Sequence, residues 1–258
     1  MVMACDNGYQ SAIMVPTEIL AEQHCRSIRA WADALGLKVA LLTGSLGAAE
    51  KRALLEEVRG GLARIVIGTH ALISQDVEFA KLGLVVIDEQ HRFGVVQRAT
   101  IREKGFNPDV LVMTATPIPR TLAMTVYGDL DVSVIDELPP GKKPIQTKIA
   151  YEQQRERVYE SARKELAQGN QVFVVYPLVE ESETLDLKDA TRMAEHLQQD
   201  IFPDETVGLI HGKLKTAQRE EIMAAFLSGL IRILVATTVI EVGIDVPQAS
   251  PMIIEHAE

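Results

Sequence analysis

The stretch that decides the fold is Leu84-Val85-Val86-Ile87-Asp88-Glu89-Gln90-His91. Its four consecutive aliphatic residues are typical of a strand that is covered on both faces of a parallel sheet. Two carboxylates, Asp88 and Glu89, follow at the carboxyl end, which is where open α/β sheets bind their ligands. A carboxylate there can hold Mg²⁺ through water, and its neighbour can orient the attacking water in phosphoryl transfer. A strand that simply ends in Asp-Glu and caps the next helix explains this stretch alone slightly better.

Similar aliphatic runs alternate with segments of helical periodicity along nearly the whole chain. In one such segment Leu20, Ile28, Trp31 and Leu35 share a stripe at helical spacing. Because the strands are continuously apolar and alternate with helices, the pattern predicts an α/β fold with doubly wound, mainly parallel sheets. The predicted strands are Ser11–Val15, Lys38–Thr43, Arg64–Gly68, Leu84–Asp88, Val110–Thr114, Val132–Asp136, Ile145–Ala150, Gln171–Tyr176, Val207–His211, Arg232–Thr237 and Pro251–Glu255.

A proline-rich segment, Leu138–Pro144, interrupts this alternation. Three prolines and a glycine in seven residues cannot continue a helix or a central strand. A new series of strands and helices begins directly after it. The sequence therefore predicts two α/β domains, 1–138 and 145–258, joined by a linker at 139–144.

Composition excludes several classes of protein. The 258 residues are 47% hydrophobic and 24% charged, which excludes a disordered chain. There is no apolar run of the ~18 residues that a membrane span needs, and Cys5 and Cys25 are too few for a four-cysteine zinc site. A reduced, cytoplasmic compartment is the default expectation.

The net charge of −10 argues against a broad basic face for nucleic acid. The acidity is uneven, however, because residues 144–258 carry 11 basic and 19 acidic side chains. It is therefore mainly a property of the second domain, where a solvated helix face accounts for it.

Polar residues also follow four other predicted strands. Helix N-termini with a threonine hydroxyl can bind phosphates without net positive charge. Ordinary helix capping explains each of these segments taken singly. They are Pro16-Thr17-Glu18, Gly68-Thr69-His70, Thr114–Arg120 and Thr237–Pro247.

The ordered set of these segments resembles the motifs of superfamily 2 helicases. The matching segments are Pro16–His24 for motif Ia, Gly68–His70 for Ib, Asp88–His91 for II, Thr114–Arg120 for III and Thr237–Pro247 for V. The continuation Arg92–Val95 and the segment Val134–Gly141 are similar to those of ATP-dependent branch-migration DNA helicases in particular. This resemblance implies two RecA-like domains that bind ATP and Mg²⁺ and step along branched or forked DNA in repair and recombination. It also implies the bacterial cytoplasm, with neither a membrane nor a structural metal as partner.

The resemblance assigns a role to each motif residue. Asp88 holds Mg²⁺ through water and Glu89 orients the attacking water, while Gln90 and His91 link the nucleotide state to the first domain. Thr114 and Thr116 couple hydrolysis to DNA movement. The residues assigned to DNA are Pro16, Thr17, Thr69, His70, Thr237 and Thr238, and those assigned to the nucleotide from the second domain are Gly243 and Asp245.

Two departures from the helicase pattern limit what the chain is expected to do alone. The Gly-x-x-x-x-Gly-Lys-Ser/Thr phosphate loop is absent, since Gly141-Lys142 and Gly212-Lys213 lack its other residues. The arginines of motif VI are expected beyond the last residue. We therefore expect an internal fragment with both RecA-like domains incomplete, which does not hydrolyse ATP by itself. The alternatives are a non-catalytic helicase-fold binding module and a fragment of a transcription-repair coupling translocase.

Two histidines remain open at this stage. His24 lies on the apolar stripe of its helix, which favours a packing role over a catalytic one. His211 ends a predicted strand before Gly212, and the sequence favours equally a position that lines the cleft between the domains and one that does not.

Overall fold

A computed structural model of the chain describes residues 1–89, 93–115, 131–137, 145–176, 183–237, 246 and 248–255. The chain divides into two compact units, Met1–Glu137 (unit 1) and Leu138–Glu258 (unit 2). Among the residues described, no helix combines the length and apolar character needed to cross a membrane.

Unit 1 is built around a five-stranded sheet in which every described pairing is parallel. Its strands are β1 (Gln10–Met14), β2 (Val39–Leu42), β3 (Ile65–Gly68), β4 (Leu82–Ile87) and β5 (Asp109–Val112), in the order β2-β3-β1-β4-β5. Its helices are α1 (Val2–Asp6), α2 (Glu18–Ala32), α3 (Ala48–Arg59) and α4 (Val95–Glu103), with short 3₁₀ turns at Asp33–Leu35 and His70–Ile73.

Unit 2 contains a four-stranded sheet, also parallel in every described pairing. Its strands are β6 (Gln171–Tyr176), β7 (Val207–Ile210), β8 (Ile233–Thr237) and β9 (Ala249–Ile254), in the order β7-β8-β6-β9. Its helices are α5 (Arg155–Ala167), α6 (Glu183–His196) and α7 (Thr216–Leu227), with a 3₁₀ turn at Glu152–Gln154 and a π-helical turn at Leu197–Ile201.

The central strand of unit 1 shows why the aliphatic runs become parallel strands. All five residues of β1 are buried, because the strand has neighbours on both sides and helices on its faces. The following helix, α2, begins where the Thr17 hydroxyl accepts a hydrogen bond from the Leu20 amide at 3.4 Å. It buries one face on the sheet, including Leu20 and Ile28, and ends at Ala32 before Gly36 adopts a left-handed conformation.

The two units repeat one topology, and part of one sequence pattern. Residues 38–69 and 206–237 align without a gap, and each range runs through a strand, a helix and the next strand. Gly61 and Gly229 occupy equivalent turns with φ of 73° and 79°. In each unit the carbonyl of the first aligned residue also accepts two backbone hydrogen bonds, at 2.9 Å from the residue before β3 or β8 and at 3.2 Å from the first residue of that strand. A residue of unit 1 therefore has an identifiable counterpart in unit 2.

The predicted α/β class with two parallel sheets is confirmed, but two of the predicted strands are wrong. Residues 131–136 and 145–150 form no strand. Val134, Ile135, Ile145 and Ile149 are instead 76 to 94% exposed. A short apolar run becomes a strand only when a neighbouring strand accepts its backbone hydrogen bonds. The predicted linker at 139–144 lies outside the described residues, so the predicted domain limits remain a prediction.

Candidate active site at the strand ends of unit 1

The candidate site lies at the carboxyl edge of the first sheet. Because the strands are parallel and in register, with Met14 beside both Gly68 and Ile87, their carboxyl ends meet at one edge. Ile87 is in turn beside Val112 of β5. The segments that follow these strands are those predicted from the sequence to carry function.

Asp88 is the first residue after β4 and is held by three contacts. Its amide donates to the Met14 carbonyl at 3.0 Å, which continues the sheet by one residue. Its Oδ1 accepts from the Glu89 amide at 2.9 Å, and its Oδ2 lies 2.9 Å from His24 Nε2. The carboxylate nevertheless remains 21% exposed. Asp88 thus presents an oriented and accessible carboxylate at the sheet edge.

Glu89 has an unusual backbone conformation and is buried. Its φ is 50°, in the left-handed region that residues with side chains rarely adopt, and the residue is only 6% exposed. Such a conformation costs of order 1 kcal/mol and persists only where the surrounding structure imposes it, as at functional sites. A buried carboxylate beside an accessible one is the arrangement that distinct roles in metal binding and water activation require.

The residues of the predicted DNA set differ in accessibility. Pro16 and Thr17 are partly exposed and His70 is exposed, whereas Thr69 and Thr237 are buried at 1 and 2% exposure. Among the described residues, the Thr69 hydroxyl has no hydrogen-bond partner. A phosphate can therefore reach Pro16, Thr17 and His70 directly, while contact with the Thr69 hydroxyl requires the following turn to open.

Thr114, predicted to couple hydrolysis to DNA movement, follows β5, the strand paired with β4. It is partly exposed and comes two residues after β5, where the Met113 amide donates to the Ile87 carbonyl at 2.8 Å. The remaining predicted site residues lie outside the described part of the chain. They are Gln90, His91, Thr116, Thr238, Gly243 and Asp245.

Among the described residues, the donor set at Asp88 fits Mg²⁺ and has too few ligands for a fully protein-ligated metal. Among the described residues there is no group of three or more His, Cys, Asp or Glu side chains that could hold a metal ion. Mg²⁺ commonly keeps several waters and uses one or two carboxylates together with substrate phosphates. One accessible carboxylate, Asp88, meets that requirement.

The equivalent edge of unit 2 carries a different pair. The Glu255 amide donates to the Val175 carbonyl at 2.9 Å, as the Asp88 amide does to Met14, so Glu255 is the counterpart of Asp88. Arg155 Nη2 donates to Glu255 Oε2 at 2.8 Å, and this carboxylate is only 10% exposed. The unit 2 carboxylate is thus neutralised by a guanidinium.

Two groups at this edge of unit 2 have shifted pKa values, Tyr176 near the Arg155–Glu255 pair and His211 at the far side of the sheet. Burial and then the charge of Glu255 raise the pKa of the Tyr176 hydroxyl, which therefore stays protonated. At the end of β7, burial and then the charge of Lys213 lower the pKa of His211, which favours its neutral ring. These shifts belong to the edge of unit 2 and do not involve Asp88 or Glu89.

Sequence reasoning missed His24 as part of the site. The expected packing role did not include this contact: the ring is 28% exposed and its Nε2 lies 2.9 Å from Asp88 Oδ2. The available signal was its position: His24 lies on the sheet-facing side of α2, four residues after the buried Leu20. Since α2 starts at the carboxyl edge of β1, a residue in its second turn is near that edge.

Comparison with known proteins places this geometry in a class. Residues 1–125 match the DEAD/DEAH box helicase family model, and residues 143–258 match the helicase conserved C-terminal domain. With two parallel α/β units in this order and the Asp-Glu pair at the strand end, the chain belongs to the superfamily 2 helicases, which have two RecA-like domains.

Within that class the chain is similar to RecG. It is 52% identical over 258 residues to the ATP-dependent DNA helicase RecG of Synechocystis sp., covering all of this chain and 31% of that protein. It is 54% identical to the RecG of Streptococcus pneumoniae, covering 38% of that protein. The structure of RecG bound to a three-way DNA junction matches 95% of this chain and 31% of that one, with 47% identity and a TM-score of 0.78. The family resemblance predicted from the motifs is confirmed, and the chain spans about a third of the length of these relatives.

More distant structures share the fold alone. The helicase Lhr of Mycobacterium smegmatis, solved with single-stranded DNA and AMP-PNP, is 19% identical with a TM-score of 0.62 over 98% of the chain.

Proposed function

We propose that the chain forms the motor core of an ATP-dependent DNA helicase that remodels branched DNA, such as replication forks and Holliday junctions, in repair and recombination. The observation that carries the proposal is the Asp88–Glu89 pair at the end of β4, with one carboxylate accessible and the other buried. The similarity to RecG along the whole chain supports the choice of DNA helicase over other superfamily 2 activities. The bacterial cytoplasm is the proposed location, since the named relatives are bacterial proteins.

In this proposal the edge of unit 1 performs phosphoryl transfer to water. Bound Mg²⁺ supplies charge neutralisation for the phosphates of ATP. Asp88 holds that ion through water. The buried Glu89 carboxylate orients the attacking water, Gln90 and His91 report the nucleotide state to unit 1, and Gly243 and Asp245 contact the nucleotide from unit 2.

DNA binding is assigned to the neighbouring strand ends. Pro16, Thr17 and His70 are accessible to the phosphodiester backbone, and Thr17 begins a fifteen-residue helix whose free amides favour phosphate. Thr69, Thr237 and Thr238 complete the proposed contacts, which require the buried Thr69 and Thr237 side chains to become accessible. Thr114 and Thr116 would transmit the hydrolysis step to these residues.

A chimera tests the proposal with the rest of a helicase present. This chain replaces the stretch it matches in Synechocystis RecG, and ATP hydrolysis is measured with and without forked DNA. We expect DNA-stimulated hydrolysis and fork unwinding, both of which fall at least about 100-fold in Glu89→Gln because the water-orienting carboxylate is lost. Glu22→Gln, at an exposed position of α2, is the matched control and should hydrolyse at the rate of the chimera.

Two outcomes would contradict the proposal. A folded chimera that binds forked DNA but hydrolyses no ATP favours the non-catalytic binding module. Hydrolysis that survives Glu89→Gln unchanged removes the assigned role of this carboxylate. The 258-residue chain alone should show no DNA-stimulated hydrolysis, because its sequence has no Gly-x-x-x-x-Gly-Lys-Ser/Thr segment.

A further inference from the structure

The contact between His24 and Asp88 has a specific chemical sense. An ionised carboxylate has only acceptor atoms, so the 2.9 Å approach of His24 Nε2 to Asp88 Oδ2 requires the imidazole to carry its proton on Nε2. The other oxygen, Oδ1, already accepts from the Glu89 amide at 2.9 Å. Two donors from different segments therefore hold the two oxygens and fix the rotation of the carboxylate.

The counterpart pair in unit 2 shows how a charged partner differs from an imidazole at this position. Glu255 occupies the place of Asp88, but its partner Arg155 carries a permanent positive charge in a planar fork of donors. That carboxylate is 10% exposed, whereas Asp88 is 21% exposed. A guanidinium at the edge of unit 1 would compete with a divalent cation for the carboxylate. An imidazole donates one hydrogen bond and needs no charge to do so.

We propose that His24 is a positioning residue that orients Asp88 for Mg²⁺, leaving the remaining lone pairs of the carboxylate to the waters of the ion. The proposal rests on the proposed function, in which Asp88 is the metal-holding residue. Outer hydrogen-bond partners of this kind typically change metal affinity by 10- to 100-fold when removed. His24 makes no contact with nucleotide or water in this role and acts only through Asp88.

The test uses Mn²⁺ alone as the probe, added to the 258-residue chain labelled with ¹⁵N. Mn²⁺ takes the same oxygen ligands as Mg²⁺ and broadens the amide resonances of nearby residues. Broadening at Glu89 and Met113 that disappears in Asp88→Asn defines the site. The Mn²⁺ concentration for half of that broadening should rise about tenfold in His24→Phe, which keeps a ring but has no donor.

Two further variants separate positioning from packing. His24→Gln places an amide donor at similar reach and should recover most of the affinity, although its shape differs from that of imidazole. His196→Phe is the matched control, because His196 makes the same kind of contact to Asp200, at 2.6 Å, on an exposed part of unit 2. Thermal unfolding of each variant shows whether the fold is retained.

Equal Mn²⁺ affinity in the parent chain and in His24→Phe overturns the proposal, as does broadening that Asp88→Asn leaves unchanged. A loss in His24→Phe that His24→Gln does not reduce also overturns it, because ring packing then accounts for the effect. The proposed function is decided separately by the Glu89-dependent hydrolysis of the chimera.

Discussion

Replacing Gln10 by Met tests whether a buried polar side chain organises the first sheet. Gln10 opens β1 and is 1% exposed. Its Nε2 donates to the carbonyls of Val58 (2.9 Å) and Ala63 (2.8 Å), and its Oε1 accepts from the Lys81 amide (3.0 Å). These bonds tie β1 to the end of α3 and to the start of β4. Met fills a similar volume but lacks the amide donors and the strong acceptor.

The expected magnitude follows from the groups that lose a partner. The Val58 carbonyl keeps a hydrogen bond from the Gly61 amide at 3.1 Å. The Ala63 carbonyl and the Lys81 amide lose the partner that Gln10 provides. A buried polar group left unsatisfied costs about 1–3 kcal/mol, and the Ala63 carbonyl is buried while the Lys81 amide is partly buried, so we expect a loss of about 3 kcal/mol in the free energy of unfolding of unit 1. With a urea m-value of about 2 kcal/mol/M, the midpoint falls by about 1.5 M.

The single tryptophan provides the assay. Trp31 lies in α2 of unit 1, so its fluorescence in a urea titration reports the unfolding of that unit. The control is Leu62→Ala, beside Ala63 in the same loop but 60% exposed, which should shift the midpoint by less than about 0.3 M. A Gln10→Met midpoint within that same margin of the parent chain would refute the reasoning.

The counterpart variant in unit 2 should be milder. Gln171 Nε2 donates to the carbonyls of Phe226 and Ile231, but among the described residues its Oε1 accepts no hydrogen bond. The Phe226 carbonyl also keeps a bond from the Gly229 amide at 3.0 Å. Gln171→Met therefore leaves one group without a partner instead of two. We expect a loss of about 1.5 kcal/mol in the free energy of unfolding of unit 2, measured by circular dichroism. A larger loss than for Gln10→Met would contradict this count.

Two further changes have defined outcomes. Gly68→Ala places a methyl group against the Leu42 carbonyl oxygen and should lower the free energy of unfolding of unit 1 by at least about 2 kcal/mol in the Trp fluorescence assay. The control Gly47→Ala places its methyl group in open space and should change that free energy by less than about 1 kcal/mol. Burial and then the charge of Lys213 lower the pKa of His211, so His211 binds a proton more tightly in the unfolded chain than in the folded chain. The contribution of His211 to the free energy of unfolding is therefore full above the ordinary histidine pKa of ~6.5 and is lost as the pH falls below it. Between about pH 7.5 and about pH 5, thermal unfolding of His211→Gln should therefore shift less than that of the parent chain, and an equal shift would argue against this origin.

The sheet strands were predictable where burial acts on both faces. β3, β4 and β8 are mainly aliphatic runs in the sequence and lie in the sheets, since a parallel strand covered on both faces tolerates such a run. The runs at 132–136 and 145–150 also contain β-branched aliphatic residues, mixed with polar ones, but form no strand. Local composition cannot show whether a neighbouring strand is available, because pairing is decided by parts of the chain far away in sequence.

The positions of the candidate site residues at the strand ends were predictable from the sequence, whereas the contact between residues of different elements was not. Chain order alone places Asp88, Thr69 and Thr114 at strand ends, and parallel pairing then brings those ends to one edge. The contact between His24 and Asp88 joins positions 64 residues apart, and helical periodicity shows only which way His24 faces. Whether a sheet-facing histidine meets apolar side chains or a carboxylate depends on how far along the strand the helix crosses, which the sequence does not encode locally.

The repeated topology separates what the fold provides from what individual side chains provide. In both units a carboxylate residue follows a strand that pairs with β1 or β6, namely β4 in unit 1 and β9 in unit 2. The backbone hydrogen bonds of Asp88 and Glu255 show that the two positions are equivalent. What differs is the partner: His24 in unit 1, and Arg155 in unit 2. A site that must accept a dication needs its carboxylate charge available, whereas a buried carboxylate needs that charge compensated. Under the proposed function the same backbone position would therefore serve opposite purposes, and the difference lies in the partner side chain, His24 on α2 or Arg155 on α5.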